Sequence, residues 1–380
     1  MTSITVPFSQ PCRLGNELSN IDKAIGSGRL SGGGQFNRDC ESFLSQMTGA
    51  PALLTSSCTH ALEMTALLLD IGPGDEVIVP SYTFVSSASA FALRGATICF
   101  VDNDQYGNIS LNAVASAIGS KTKAIVAVHY AGNSTDIEKL SSFCADRKIY
   151  LVEDAAQSIG VTYRNRALGS FGTFGCFSFH DTKNVTAGEG GALIVNDARF
   201  LERAEILRDK GTNRKKFSQG LVDKYTWVDL GSSYVLSELN AAYLLGQLEK
   251  ASSINQRRLE ISERYRAELQ DALRQKNCRI LDVPNYNSPN GHIFAILTET
   301  MPQRSSIIEF LLKHRISATF HYNTLHTSPA AKRWSTRFAS QMNNAQYFTD
   351  CLVRLPLFYN MNESQIAHVI KTVKSWCYSS

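Results

Sequence analysis

The chain has 380 residues, 43% hydrophobic and 19% charged, which allows about two domains or one large α/β unit and excludes global disorder. Lys and Arg total 38 against 34 Asp and Glu, and a formal net charge of +4 carries no footprint of a dedicated nucleic-acid binder. No apolar run approaches the ~20 residues of a membrane span, no signal-peptide pattern opens the chain, and the nine cysteines contain no C-x-x-C pair, so a cytoplasmic protein with reduced thiols and no membrane insertion is expected.

In chain order, the first marked segment is Gly26–Gly34 (GSGRLSGGG), with five glycines in nine residues. It lacks the Gly-Lys-Ser/Thr of a Walker loop, and no strand precedes it as a dinucleotide fingerprint requires. A flexible loop able to close over a ligand fits better, with Arg29, Leu30 and Ser31 as candidate substrate contacts. From about residue 50 to 200, short β-branched runs alternate with helical patterns. The strand candidates are 52–55, 76–80, 97–101, 124–128, 150–153, 176–179 and 192–195; helical spacing covers 60–69, 86–93 and 137–147. Several of the strands are apolar on both faces, as strands covered by helices on two sides must be. The pattern predicts a largely parallel, doubly wound sheet of about seven strands, whose ligands sit at the C-terminal strand ends.

Asp102–Gly107 (DNDQYG) begins like a calcium loop but has Ala113 at the twelfth position, where Glu is required. Beyond residue 240 the texture changes. A long, bent helix is expected over 239–273, then strands at 279–283 and 292–297 separated by the turn-rich 284–291. A helix at 305–314, a strand near 318–322, and helices near 344–352 and 363–376 complete the chain. The expected division is a large domain, 1–248, and a smaller C-terminal α+β domain, 249–380. The eight histidines form no H-E-x-x-H motif, and His321 with His326 is an incomplete metal site, so no metal is expected.

The chemistry concentrates where strand ends meet. Asp154 closes the strand at 150–153, with Gln157 three residues on; alone it is as readily a helix cap. About thirty residues later, Ser178 ends a strand, Lys183 follows in a loop, and Gly188-Glu-Gly-Gly191 makes a turn. A lone loop Lys is ordinarily a solvated charge; the combination changes that reading. Pyridoxal 5'-phosphate chemistry needs a Lys amine for the Schiff base and an acid beside the pyridine nitrogen. It also needs donors around a phosphate, best at a helix N-terminus, and a flat group on the ring. Lys183 and Asp154 meet the first two needs. Ser57, Cys58 and Thr59, which follow a strand and open a helix, meet the third with Ser178. Phe84 meets the fourth, and Gln157 is placed to reach the ring hydroxyl.

With these segments in view, the chain resembles the DegT/DnrJ/StrS family of pyridoxal-phosphate-dependent sugar aminotransferases over essentially its whole length. The matching blocks include SGRLSGGGQFNRDCE, TSSCTHALEM, PSYTFVSSASA, VEDAAQSIG, CFSFHDTKN, GEGGALIVND, GSSYVLSELNAAYLLGQLE and FHYNTLH. The resemblance implies the aspartate-aminotransferase fold (fold type I), a homodimer with active sites at the interface, and loops 26–34 and 211–234 as the parts that cross it. It implies Lys183 as the Schiff-base lysine, Asp154 as the pyridinium partner, Gln157 at the ring hydroxyl and Phe84 over the ring. Thr59, Ser178 and the 57–58 backbone would hold the phosphate. Ser233 stands where many members place an Asn that reaches the partner's phosphate. Tyr322 and His326 match a motif near the sugar. Lys183, rather than the His of the nonaminating branch, implies transamination.

More narrowly, DKGTNR, VDKYTWVDLGSSY and RLPLFYN resemble members that make dTDP-4-amino-4,6-dideoxy-D-galactose from dTDP-4-dehydro-6-deoxy-D-glucose and L-glutamate, as in enterobacterial common antigen synthesis. The gluco epimer, a 3-keto or UDP-linked sugar, and a non-catalytic cofactor-binding regulator are the alternatives.

Overall fold

A computed structural model describes residues 5–379 apart from 219, 335, 339 and 340. Positions 1–4 and 380 of the two expected domains, and position 219 of the 211–234 loop, therefore lie outside the described residues. Strands β1 (Ala52–Thr55), β2 (Glu76–Pro80), β3 (Thr97–Val101), β4 (Thr122–Val128) and β5 (Tyr150–Asp154) alternate with helices Cys58–Leu68, Ser86–Ala92, Leu111–Ala117 and Ile137–Asp146. β6 (Thr162–Tyr163), β7 (Arg166–Ala167), β8 (Phe174–Ser178) and β9 (Gly191–Val195) follow. The second half adds β10 (Arg279–Ile280), β11 (Asn287–Ser288), β12 (Phe294–Leu297), β13 (Thr336–Phe338) and β14 (Leu352–Leu355).

The central sheet has eight strands in the order β1-β9-β8-β5-β4-β2-β3-β13. Every pair from β8 to β13 is parallel, while β9 is antiparallel to both β8 and β1. β9 alone is reversed, so the other seven strands end on one edge, where an α/β sheet gathers ligands. All five residues of β2 are buried, and so are the last four of β5, because helices cover both faces. A smaller antiparallel sheet, β10-β12-β14, packs with helices Ala251–Arg274, Met301–Lys313 and Glu363–Tyr378 around Tyr265, Phe294, Phe358 and Trp376. Val6, from the N-terminal end, is buried in that same cluster.

Three sequence expectations change. The helix expected over 239–273 is two, Glu238–Leu248 and Ala251–Arg274, because Lys250 leaves helical geometry at φ −109°, ψ 5°. The strand expected near 318–322 reduces to one antiparallel bridge, Thr319 to Arg354, after which the chain turns His321 and Tyr322 toward the sheet edge. The sheet gains an eighth strand, β13, whose Arg337 pairs with the buried carboxylate of Glu76 on β2.

β5 carries the residue that fixes this edge. Glu153 is fully buried and accepts from the backbone N–H groups of Gly169 (2.8 Å), Phe171 (2.6 Å) and Gly172 (2.6 Å). It also accepts from Nε2 of buried His129 at 2.8 Å. Side chains alternate along a strand, so anchoring Glu153 on one face sets Asp154 on the other. Glu153→Ala leaves four donors without their acceptor and should cost about 3–5 kcal/mol. Urea unfolding should show a clearly lower midpoint, with Glu153→Gln intermediate; an unchanged midpoint would contradict this role.

Candidate active site

At the C-terminal strand edge lies a cavity of about 360 Å³. Its floor takes Ser57, Cys58 and Thr59 from the turn after β1, and Asp154 and Gln157 from the end of β5. Ser178 from β8, Lys183 from the following loop, Phe84 from the loop after β2, and Tyr322 complete the set of expected residues that line it.

The β1 turn is built as a helix start. Ser57 is the N-cap of Cys58–Leu68, its hydroxyl accepting from His60 N at 3.1 Å, so the first-turn N–H groups point out of the helix without intrahelical acceptors. Thr59 Oγ1 meets Ser86 Oγ at 2.8 Å. β9 passes so close that a Cβ on Gly191 would sit 2.4 Å from Cys58 N; only glycine permits this approach. Asp154 is buried, with one carboxylate oxygen accepting from Ser87 Oγ at 2.7 Å and the other from Ala156 N at 3.2 Å. Gln157 is held from both ends: its Oε1 accepts from Ala131 N at 2.7 Å, and its Nε2 donates to the Tyr322 hydroxyl at 3.2 Å. Phe84 is 54% exposed, with its ring 6.0 Å from that of Tyr322. Ser178 Oγ accepts from His180 N at 3.4 Å.

Lys183 is placed through its neighbour. Asn184 is buried and donates to Asn255 Oδ1 and Asn290 O, both at 2.9 Å, while its Oδ1 meets His292 Nδ1 at 3.0 Å. The loop is thereby fastened to the helix Ala251–Arg274 and the turn at 290–292. Burial pushes the Lys183 amine below its ordinary value, Arg354 adds to the shift, and Asp154 partly opposes it. His292 is pushed well below its ordinary value by burial, with the Lys183 charge adding to it, and is neutral.

Five expected contacts stand outside the cavity lining. His326 Nδ1 makes a 2.6 Å hydrogen bond with Ser81 Oγ. Ser233 is exposed and bridges to Asp209; Arg29, Leu30 and Ser31 are exposed on the glycine-rich loop. Sequence reading missed Ser87, His292 and Arg354, and weighed His321 only with His326 as an incomplete metal site. The segments holding Ser87 and Arg354 were visible, but nothing in their spacing singled these residues out. Among the described residues no group of three or more potential metal ligands occurs, and no helix is long and apolar enough to cross a membrane.

The constellation fits pyridoxal 5'-phosphate. The helix start and adjacent hydroxyls suit a phosphate. The Asp154 carboxylate has room for a further donor, Lys183 shares its cavity, and Phe84 is free to cover a ring.

The model of the DegT/DnrJ/EryC1/StrS aminotransferase family matches residues 11–374. Among solved structures, the chain is similar to a putative sugar aminotransferase from Streptococcus pneumoniae, Spr1654, in its PMP form. That match has 27% identity and a TM-score of 0.90, and covers 98% of this chain and 99% of that one. It is also similar to DesV of S. venezuelae at 28% identity and TM-score 0.89, covering 100% of both chains. PseC of Helicobacter pylori, an aminotransferase involved in pseudoaminic acid biosynthesis, matches at 26% identity and TM-score 0.88 over 99% of both chains.

A lowered amine pKa leaves more Lys183 neutral near pH 7 than a surface lysine, and protonation on acidification removes it. Competitive acetylation read by mass spectrometry should show Lys183 titrating below the ordinary lysine range. A midpoint within that range would mean Asp154 offsets the burial.

Proposed function

We infer the reaction of this chain from the family to which it belongs, the DegT/DnrJ/EryC1/StrS aminotransferases: it is a pyridoxal 5'-phosphate-dependent sugar aminotransferase. Its proposed reaction moves an amino group from L-glutamate to C4 of dTDP-4-dehydro-6-deoxy-D-glucose, giving dTDP-4-amino-4,6-dideoxy-D-galactose. The observation that carries the reading is the meeting of Lys183, Asp154 and the Ser57–Thr59 helix start around one cavity. The narrower substrate rests on the segments DKGTNR, VDKYTWVDLGSSY and RLPLFYN.

In this reading the Ser57–Cys58 backbone, Thr59 and Ser178 hold the phosphate, Gln157 faces the ring hydroxyl, and Asp154 keeps the ring nitrogen protonated. When bound, the cofactor supplies an electron sink for the bonds at the donor's α-carbon. Lys183 Nζ, whose pKa burial lowers, takes the α-proton of the donor and later delivers a proton to sugar C4. The face of delivery fixes the galacto or gluco product. A cytoplasmic homodimer is part of the proposal, with Arg29–Ser31 and Ser233 approaching the partner's site. So is the division into a cofactor-binding unit, 1–248, and a C-terminal unit, 249–380.

Purified protein with pyridoxal 5'-phosphate should show a visible band that L-glutamate converts and the dTDP-4-keto sugar restores, with NMR of the product reading C4. Conversion by glutamate without restoration by this sugar would retain the chemistry and remove the substrate. Lys183→Ala should abolish turnover while the protein stays folded. Asp154→Ala should slow turnover by at least roughly a hundredfold through the weakened sink, and a fully active variant would remove its assignment.

A further inference from the structure

The glycine-rich segment Gly26–Gly34, expected as a flexible loop, is held at both ends by one helix, Glu238–Leu248. Before the segment, in helix Glu17–Gly26, Glu17 is fully buried and accepts from Gln247 Nε2 at 2.6 Å, and Asn20 Nδ2 donates to Ala242 O at 3.3 Å. After it, helix Gln35–Thr48 starts at Gly34, which has no side chain to cap the free N–H groups. Glu238 supplies the acceptor from outside that helix. Its Oε1 accepts from Gly34 N at 2.9 Å, Asn37 N at 3.1 Å and Asn37 Nδ2 at 2.6 Å, and its Oε2 from Phe36 N at 2.9 Å. These donors, with the positive end of the helix dipole, satisfy a carboxylate that is only 3% exposed.

The same residue fixes the middle of the segment. Glu238 N donates to Leu30 O at 3.0 Å. Two residues on, a Cβ on Gly32 would lie 2.1 Å from Val235 Cγ1 and 2.3 Å from Leu236 O, so only glycine lets the chain pass this close. Arg29, Leu30 and Ser31 stand exposed between these fixed points. The Arg29 guanidinium joins no ion pair among the described residues and reaches Gly32 O at 3.4 Å. The helix start is also registered to the loop of Lys183, because Asn240 Nδ2 donates to Ala187 O at 2.8 Å.

We propose that Glu238 is a positioning residue for the nucleotide sugar: it sets Gly26–Gly34 as a preformed arm that presents Arg29–Ser31 to the part of that substrate outside the cavity. The inference rests on the sugar-aminotransferase reading. A nucleotide joined through a diphosphate to the reacting sugar is too large to share a cavity of about 360 Å³ with the cofactor. Its outer part is therefore bound beyond the cavity lining, where an exposed guanidinium and hydroxyl suit a diphosphate. L-Glutamate is small enough to be held inside. An arm ordered before binding spares the substrate the cost of ordering it, and that saving goes to the nucleotide sugar alone.

The test compares the two half-reactions of the holoenzyme by cofactor absorbance. E238Q puts a donor where backbone N–H groups need an acceptor. It should raise the half-saturating nucleotide-sugar concentration on the order of tenfold and leave that for L-glutamate unchanged. In an R29A/L30A/S31A background, E238Q should add less than about twofold, because the side chains it positions are gone. Equal losses for both substrates, or the full effect in that background, overturn the proposal. If E238Q does not fold, G32A displaces the arm with the Glu238 cap intact and must show the same split; wild-type sugar dependence in G32A overturns the proposal. Trypsin cleavage after Arg29 reads the clamp without substrate and should be about tenfold faster in E238Q than in wild type. Faster cleavage in an enzyme inert toward every nucleotide sugar would sustain the clamp while removing the sugar reading; equal cleavage in an enzyme active on the sugar would do the reverse.

Discussion

The buried carboxylate of Glu153 is the contact on which the rest of the site hangs. It lies one residue before the end of β5, and its oxygens hold the 169–172 turn and His129 at the end of β4. Three strands therefore share one anchor at the edge where ligands collect, since β8 begins directly beyond that turn. A buried anion is costly unless its acceptor capacity is filled, and here one imidazole and three backbone N–H groups fill it. The pleat then does the rest: with Glu153 committed away from the cavity, Asp154 faces it, and Ser87 fixes its carboxylate plane.

A second fastening joins the two halves of the chain. Lys183 stands on a loop, and a loop alone would leave a long flexible amine free to wander. Asn184 prevents this by spending its amide on Asn255, Asn290 and His292, residues more than seventy positions away. Arg258 holds the carbonyls of Gly291 and His292 beneath that turn, so the position of the amine is set from the C-terminal helices while its acid partner is set by the central sheet. Any shift between these two layers would change the Lys183–Asp154 separation, which makes their packing part of the chemistry.

Most of the strand edge was legible because its signals are local. Buried parallel strands read as apolar runs, Ser57 followed by a helical pattern reads as an N-cap, Asp154 closes one such run, and Lys183 lies in the loop after another. β13 was not legible: three residues, Thr336–Phe338, show no alternation, and the strand exists because Arg337 finds Glu76 more than two hundred residues earlier. Nor was β14 expected: RLPLFYN stood out only as a resemblance, yet its first two residues belong to the strand Leu352–Leu355.

The charges of the cavity follow one rule. Lys183 and Arg354 lower each other's affinity for protons, and both depress His292 and His321. The two histidines respond by staying neutral, so they serve as oriented hydrogen-bond groups rather than as charges. Cys58 and Asp154, both lining the cavity, partly offset this positive field at the amine. The result is a cavity whose electrostatic strain is relieved by anions arriving from solution. The proposed phosphate at the helix start is one such anion. The amine lies in the same enclosure, where burial and the Arg354 charge both lower its pKa.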